Sequence, residues 1–329
     1  MSLSSQIKDK NSPARKFFMQ FQKKDGTKSC LALLQSTKPI WPLSFIPSST
    51  VVHTYIGTTT DYLIRYAGNG NVLPFESTIA SEALARAALL GAPADHETIK
   101  HLFKIGKQNL DGRDASDYTA IYSATALTIM DGFFRSGRLP KLFLEAIQKH
   151  GGRILKEKTT NDLFGKYFAS LGGDKYAQDI SGLIQLFLKV CKDPRSELFE
   201  AKIVAGNQAL NNSWLVEGAD FDCVFESASR LILTDIKTTI KPLTIEHLRQ
   251  IIGYALLYDE EKDDFKFTDI GIYHSRSGSF RSLPIDSVIE MTLVGFKSVG
   301  PARKAFIAAL KKANIMIERN EPKAAPIAR

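Results

Sequence analysis

The order of hydrophobic and polar positions divides the chain into a helical half and a strand-rich half. Between about residues 75 and 190, apolar residues recur at helical spacing in segments that end at glycine stops, such as Gly151-Gly152 and Gly172-Gly173. Between residues 202 and 285, short apolar runs alternate with turn residues, as is typical of strands. The pattern predicts an α/β fold with a mixed central sheet flanked by helices and preceded by a helical N-terminal half.

Two strands of the second half are predicted to form a hairpin. Residues 216–225 and 231–239 each have the pattern of a strand, and a polar turn of residues 226–229 joins them. Because strand side chains alternate between faces, Asp235 and Lys237 emerge on one face, about 7 Å apart along the strand. The hairpin brings Asp222 on the first strand next to Asp235.

A helix is predicted directly after this hairpin. Residues 242–258 have apolar positions at helical spacing, and Thr244 is suited to cap the helix. Gln250 and Tyr254 are four residues apart, so they share one face of the helix.

Neighbouring carboxylates on adjacent strands need a positive charge between them. Without a partner, Asp222 and Asp235 repel each other and are costly to desolvate. Hard oxygen ligands without a His or Cys cluster favour Mg²⁺ over zinc, and Mn²⁺ can substitute for it. The acids can hold the cation while the ammonium of Lys237 steers a water or steadies phosphoryl charge. The alternative is a plain ion pair between Lys237 and one of the acids.

Three spaced motifs carry a family resemblance. They are Gly-x-x-x-Asp ending at Asp222, Asp-x-Lys at Asp235 and Lys237, and Gln-x-x-x-Tyr from Gln250 to Tyr254. Together they resemble the core of the PD-(D/E)XK nuclease superfamily, in its RecB-like and lambda-exonuclease-like branch. The resemblance implies a restriction-endonuclease-like core and a metal site with these ligands: Asp222, Asp235 and the main-chain carbonyl of Ile236. It also implies that Lys237 serves the attacking water, and that Gln250 with Tyr254 lies beside the scissile strand.

The acid that completes the metal shell is left open. Residues 55–66, 133–138 and 218–222 are similar to a poorly characterised prokaryotic group within this superfamily. RecB-like domains often carry Gly-x-x-x-His on an early helix with the His as a ligand, and Asp61 stands in the position of that His. The alternative for Asp61 is a surface ion pair with Arg65. The candidates for the remaining ligand are Asp61, Glu82, Glu197 and Glu200.

The excess positive charge lies at the two ends of the chain. The net charge is +8, residues 1–30 carry seven Lys or Arg against two acids, and residues 297–329 carry eight against two. Basic ends around a nearly neutral body fit a nucleic-acid partner, although the same charge also suits solubility alone. Trp41 and Trp214 are interpreted as core anchors, with base stacking as the alternative. The residues assigned to nucleic-acid binding are Tyr254, Arg249 and Lys241.

The chain is long enough to bury a substantial core. We assign residues 1–45 to a basic N-terminal arm and residues 46–195 to a helical region that packs on the core. Residues 196–290 are assigned to a nuclease core sheet with the Gln250 helix, and residues 291–329 to a C-terminal helix with a basic tail. Residues 46–329 are expected to form one compact domain. No apolar run has the length of a membrane span and the first residues lack a signal-peptide core, so we expect a cytoplasmic protein without a membrane partner.

These patterns favour a Mg²⁺-dependent nuclease, with DNA preferred over RNA by resemblance alone. Two alternatives are a nuclease-fold module that binds nucleic acid without cleaving it, and a protein-interaction or assembly factor. An intact set of Asp222, Asp235, Lys237 and Gln250 favours the enzyme, because a site without a function has no physical reason to hold repelling carboxylates together. Protein partners and the oligomeric state are left open.

Overall fold

A five-stranded sheet lies at the centre of the strand-rich half. The computed structural model describes residues 2–35, 50–70, 79–108, 110 and 112–320. The strands within these residues are β1 (Lys202–Gly206), β2 (Cys223–Ser227), β3 (Arg230–Lys237), β4 (Asp269–His274) and β5 (Ser279–Pro284). They lie side by side in chain order. Only the β3–β4 pair is parallel, and the other three neighbouring pairs are antiparallel. The predicted mixed sheet is confirmed.

Helices form most of the described chain before β1, as predicted. They are α1 (Leu3–Lys8), α2 (Pro13–Phe21), α3 (Lys24–Leu34), α4 (Thr50–Gly68), α5 (Ile79–Leu89), α6 (Pro93–Gln108), α7 (Tyr118–Ser136), α8 (Lys141–Lys149), α9 (Glu157–Ser170) and α10 (Asp174–Lys192). A short 3-10 helix, Asn211–Val216, lies between β1 and β2. The later helices are α11 (Ile245–Leu257) between β3 and β4, and α12 (Ile285–Thr292) and α13 (Val299–Asn320) after β5.

The β2–β3 hairpin is shorter than its sequence pattern predicted. The two residues of its turn, Ala228 and Ser229, have φ values of 46° and 65°, which match the left-handed geometry of a two-residue hairpin turn. The prediction of a strand from residue 216 was wrong, because φ is 57° at Glu217 and 132° at Gly218, and this breaks the extended chain. Asp222 therefore lies immediately before β2 and not within it.

The sheet separates two hydrophobic cores, as the alternation of side chains along a strand requires. On β3, Ile232 and Ile236 belong to the core formed with α4, α7 and α10. Leu233 belongs to the other core, formed with α1 to α3 and α11 to α13. By the same alternation, Asp235 and Lys237 lie on the α11 side of the sheet.

Helices α1 to α3 pack into the second core. Leu3, Phe18 and Leu34 are at most 1% exposed. A Cβ atom at Gly253 of α11 would lie 2.9 Å from a methyl carbon of Leu3, so the glycine permits close packing of α1 on α11. The described part of the residues assigned to a basic arm, 1–45, is thus folded onto the sheet. The boundary at residue 45 lies outside the described residues.

Two further findings concern the residues that the structure describes. No helix among them combines the length and the apolar character needed to cross a bilayer. Cys30, Cys191 and Cys223 are free thiols, and Cys30 and Cys223 are buried.

Candidate active site

Asp222, Asp235 and Lys237 meet where β2 begins and β3 ends. The Oδ2 atom of Asp222 accepts a hydrogen bond from the Ile236 N–H at 2.6 Å. On β3, Lys237 Nζ lies 2.6 Å from Asp235 Oδ2. Asp235 is 1% exposed, and the Lys237 side chain is 16% exposed. The hydrogen bond from Ile236 therefore holds Asp222 beside the ion pair of Asp235 and Lys237, the two sequence neighbours of Ile236.

Helix α11 carries two further predicted site residues. Gln250 Oε1 accepts a hydrogen bond from Lys237 Nζ at 3.4 Å, and Gln250 Nε2 donates to the Tyr254 hydroxyl at 2.7 Å. The predicted cap is confirmed, because the Thr244 hydroxyl accepts from the His247 N–H while His247 Nδ1 accepts from the Thr244 N–H. This cap defines the start of α11 and so helps to place Gln250 within hydrogen-bond distance of Lys237.

Helix α4 brings a third acid, Asp61, to the same region. Asp61 Oδ1 is buried and accepts no hydrogen bond from the described residues. Arg65, one turn later, is 6% exposed, and its guanidinium lies 4.7 Å from the centroid of the Tyr62 ring. Asp61 and Arg65 therefore do not form the surface ion pair that was the alternative for Asp61. A Cβ atom at Gly206 would lie 2.8 Å from the Asp222 carbonyl oxygen and 3.0 Å from Arg65 Cδ, so this glycine lets α4 approach the start of β2.

The three carboxylates share one electrostatic environment. Burial and the charge of Asp222 raise the pKa of Asp61 well above its usual value. Burial and the charge of Asp235 raise the pKa of Asp222 to about 7. Burial lowers the pKa of Lys237, but the neighbouring carboxylates, with Asp235 first, outweigh it and raise that pKa. The ion pair between Lys237 and Asp235, the alternative to a bound cation in the sequence analysis, is thus present. It leaves the negative charges of Asp61 and Asp222 only partly compensated.

The other acids considered as metal ligands lie away from this cluster. The carbonyl of Glu197 accepts from the Ser227 hydroxyl, at the end of β2 opposite to Asp222. Five residues of strand separate these two ends, or roughly 16 Å. Glu200 is on an exposed turn just before β1, at the same distant end of the sheet, and Glu82 is exposed on α5. Of the four candidates, the acid on α4 is the one that reaches the cluster.

Of the residues assigned to nucleic-acid binding, Tyr254 is 5% exposed and belongs to the second core, and Arg249 is also buried. It is 6% exposed, and its Nε donates to Gln22 Oε1 at 3.0 Å. A second guanidinium nitrogen lies 3.7 Å from Glu246. Successive residues of a helix point about 100° apart, so Arg249 faces the N-terminal helices while Gln250 faces the sheet. Its contacts assign it to packing between α11 and the end of α2.

Asp220, two residues before Asp222, is held by a network on α7. Arg135 donates to Asp220 Oδ2 at 2.7 Å and to Asp131 Oδ1 at 2.5 Å. Asp131 is 5% exposed. This network fixes the chain that leads into Asp222, because α7 is anchored in the first core.

A cavity of about 450 Å³ opens beside Lys237. Its walls come from α4, the segment after β3 and the start of α11, and they include Asp61, Lys237, Lys241, His247 and five threonines (Thr54, Thr58, Thr238, Thr239 and Thr244). Ammonium and hydroxyl groups are donors that suit phosphate oxygens. Lys241, which the sequence assigned to nucleic-acid binding, lines this cavity. Sequence reasoning did not assign His247 or the threonines to a binding site and gave Thr244 only the role of a helix cap. The signal for the threonines was the threonine-rich sequence before Asp61 and after Lys237.

The donor set fits a hard cation such as Mg²⁺. The three acids offer oxygen ligands, and one oxygen of Asp61 lacks a donor among the described residues. The carbonyl of Lys237 accepts from the Ser275 N–H on the β4 side. Because successive peptides of a strand point in opposite directions, the Ile236 carbonyl points to the β2 side, where Asp222 lies. Within the described ranges no group of three or more His, Cys, Asp or Glu side chains is arranged to hold a metal ion.

Comparison with known proteins assigns no function to this site. Neither a scan against protein-family models nor a search of curated proteins finds a match for the chain. The functional assignment therefore depends on the chemistry and geometry of the residues described above.

Proposed function

We propose that the protein is a metal-dependent nuclease with the PD-(D/E)XK architecture, which hydrolyses phosphodiester bonds. The observation that carries the proposal is the hydrogen bond from the Ile236 N–H to Asp222, because it joins two acids and Lys237 at one point of a mixed sheet. Buried acids that repel one another destabilise a fold. A catalytic role gives a physical reason for keeping them together.

The residues of the cluster divide the work of such a reaction. The carboxylates of Asp61, Asp222 and Asp235, with the carbonyl of Ile236, would hold Mg²⁺ or Mn²⁺. Such an ion supplies charge stabilisation to a phosphoryl oxygen and lowers the pKa of a bound water. The ammonium of Lys237, held in place by its hydrogen bond to α11, orients a water and stabilises the charge of the phosphoryl group.

The cavity beside Lys237 supports a substrate that carries phosphates. Lys241 supplies positive charge there, and Lys237 adds an ammonium group that is paired with Asp235. Threonine side chains supply hydroxyl groups, and Asp61 is the only acid among the described lining residues. Phosphate contacts of this kind position a nucleic acid without reading its sequence. DNA is favoured over RNA by the family resemblance.

The decisive experiment is a cleavage assay. Labelled single-stranded and duplex DNA and RNA are incubated with the protein and Mg²⁺, Mn²⁺ or EDTA. We expect cleavage with either metal and none with EDTA. Intact substrates under every metal condition, with a protein that is folded by circular dichroism, would contradict the proposal.

A second candidate is a nuclease-fold module that binds nucleic acid without cleaving it. The observation in its favour is the 2.6 Å ion pair between Asp235 and Lys237, which supplies one of the acids with a permanent cation from the chain itself. The same assay separates the two functions if binding is recorded alongside cleavage. Salt-dependent binding with no cleavage in Mg²⁺ or Mn²⁺ supports the module.

A further inference from the structure

The ring of Trp214 is exposed near the chain segment that leads into Asp222. Trp214 is 62% exposed, so its interpretation as a core anchor was wrong. Its neighbours Leu215 and Val216 are 2% and 0% exposed and belong to the second core. The backbone that carries the ring is thus anchored in the protein while the ring faces solvent. Trp41 lies outside the described residues.

The 3-10 helix that carries Trp214 is also held by hydrogen bonds. The Asn211 N–H and its side-chain amide both donate to Asp263 Oδ1, at 2.9 and 2.8 Å. The Asn314 amide donates to the Leu215 carbonyl at 3.4 Å. A tryptophan on a fixed backbone offers a flat apolar surface at little cost in conformational entropy, which is how aromatic side chains serve in binding sites.

This ring borders a cavity of about 1,030 Å³ that is also lined by the chain segment before Asp222. Asp220 lines the cavity, and it precedes Asp222 by two residues, or roughly 7 Å of extended chain. Asn207 also lines it, and the Asn207 N–H donates to the Asp222 carbonyl at 3.2 Å. The cavity therefore lies beside the segment that leads into Asp222, whereas the cavity with the lysines and threonines lies beside Lys237.

The charges of the Trp214 cavity do not suit a phosphate. Arg135 is neutralised by its ion pair with Asp220, and Arg86 is the other basic residue among the described lining residues. Glu82 adds negative charge. A cavity without excess positive charge disfavours an anion but accepts a planar, uncharged group that offers hydrogen-bonding edges.

We propose that this cavity binds an unpaired nucleobase, stacked on Trp214, beside the phosphodiester that lies at Asp222. The inference rests on the proposed function, and it adds the substrate class: nucleic acid with single-stranded nucleotides next to the cleavage point. Bases in a duplex are stacked on each other, so their faces are not available to a tryptophan. The amide of Gln208, which also lines the cavity, offers a donor and an acceptor to the edge of the base.

The test compares binding by wild type, Trp214→Ala and Trp214→Phe. Fluorescence anisotropy with a labelled oligo(dT) in EDTA measures affinity without cleavage. We expect the alanine variant to bind about 5- to 100-fold more weakly, because it loses the stacking of one base. The phenylalanine variant keeps an aromatic face and should retain most of the affinity. The salt dependence of binding should be the same in all three proteins, since a stacked base releases no counterions.

Tyr118→Ala is the matched control. Tyr118 is also an exposed aromatic residue, at 49%, but it begins α7, and Arg135 near the end of that helix is about 26 Å away. This variant should bind oligo(dT) as the wild type does. A fully paired DNA hairpin is the second control, and its affinity should change less than twofold in Trp214→Ala.

The outcomes separate the inference from the proposed function. Oligo(dT) affinity within twofold of wild type in Trp214→Ala, or equal losses in the alanine and phenylalanine variants, overturns the stacking site. If either result is found and the wild type still cleaves nucleic acid, the nuclease assignment stands without the stacking site. A wild type that neither binds nor cleaves nucleic acid overturns both.

Discussion

Asp222 Oδ2 accepts the Ile236 N–H at 2.6 Å, so a side chain continues the β2–β3 ladder where the strand itself has not yet begun. The regular pairing of the hairpin extends to Cys223 opposite Thr234. Beyond that pair, the carboxylate of Asp222 takes the place of a main-chain acceptor. The consequence is that an acid lies against the segment of β3 that carries Asp235 and Lys237.

The first prediction concerns catalysis by this cluster. Asp222→Asn, Asp235→Asn and Lys237→Ala should each reduce cleavage by at least about 100-fold, because each removes a charge that acts on the phosphoryl group. Cleavage rates under saturating substrate measure the effect, and circular dichroism checks the fold.

Asp269→Asn is the matched control for these variants. Asp269 is 4% exposed on β4, but it pairs with Arg230 at the other end of the sheet. Its replacement should lower stability and leave the cleavage rate of the folded protein within a few-fold of wild type. Wild-type cleavage by Asp235→Asn, or a loss in Asp269→Asn as large as in Asp235→Asn, would remove the cluster from the mechanism.

The second prediction concerns the stability of the metal-free protein against pH. The pKa of Asp222 is raised to about 7, so this group stabilises the folded state when protonated, and that contribution is lost as the pH rises from about 4 through 7. Asp222→Asn does not ionise. We therefore expect the variant to be more stable than wild type at pH 8 by roughly 1–3 kcal/mol, and the difference to shrink at pH 5. Chemical unfolding in EDTA at the two pH values measures it, and a difference that grows toward pH 5 contradicts the sign.

The third prediction concerns metal binding. Mg²⁺ or Mn²⁺ should raise the melting temperature of the wild type, because a ligand that binds only the folded state stabilises it by mass action. The same additions should leave Asp235→Asn unchanged. Differential scanning fluorimetry at increasing metal concentration tests both proteins. Equal shifts in the two would place the bound metal elsewhere in the protein.

The fourth prediction separates two basic residues that sequence alone assigned to nucleic-acid binding. Lys241 lines the cavity beside Lys237, so Lys241→Ala should weaken binding and reduce the salt slope by about 0.7–0.9, the value for one phosphate contact. Arg249 is buried against Gln22, so Arg249→Ala should lower the free energy of unfolding by about 1–3 kcal/mol and leave the salt slope unchanged. Binding at several salt concentrations and chemical unfolding distinguish the two roles, and the reverse result would return Arg249 to the binding surface.

The part of the site that depends on neighbours in sequence was predictable. The alternation along β3 places Asp235 and Lys237 on one face, and a hairpin of the two strand patterns brings Asp222 near them. The sequence predicted a turn at residues 226–229, whereas the turn consists of Ala228 and Ser229 alone. The helix of Gln250 follows from its apolar spacing and from Thr244, whose hydroxyl satisfies an N–H of the first turn. In these cases the interactions that select the structure lie within a few residues of each other.

Tertiary packing decided the rest. Asp61 joins the cluster because α4 crosses the start of β2 at Gly206, and no local pattern specifies that crossing. Apolar spacing marks the buried face of a helix but does not say which element covers that face. The sequence alone therefore assigned α1 to α3 to a basic arm, Arg249 to nucleic-acid binding and Trp214 to the core. By itself, the sequence determined the mixed sheet, the α11 cap and the Asp235–Lys237 face. The third acid, the N-terminal packing and the exposed ring arose only from long-range contacts, whose energy depends on surfaces that are distant in the chain.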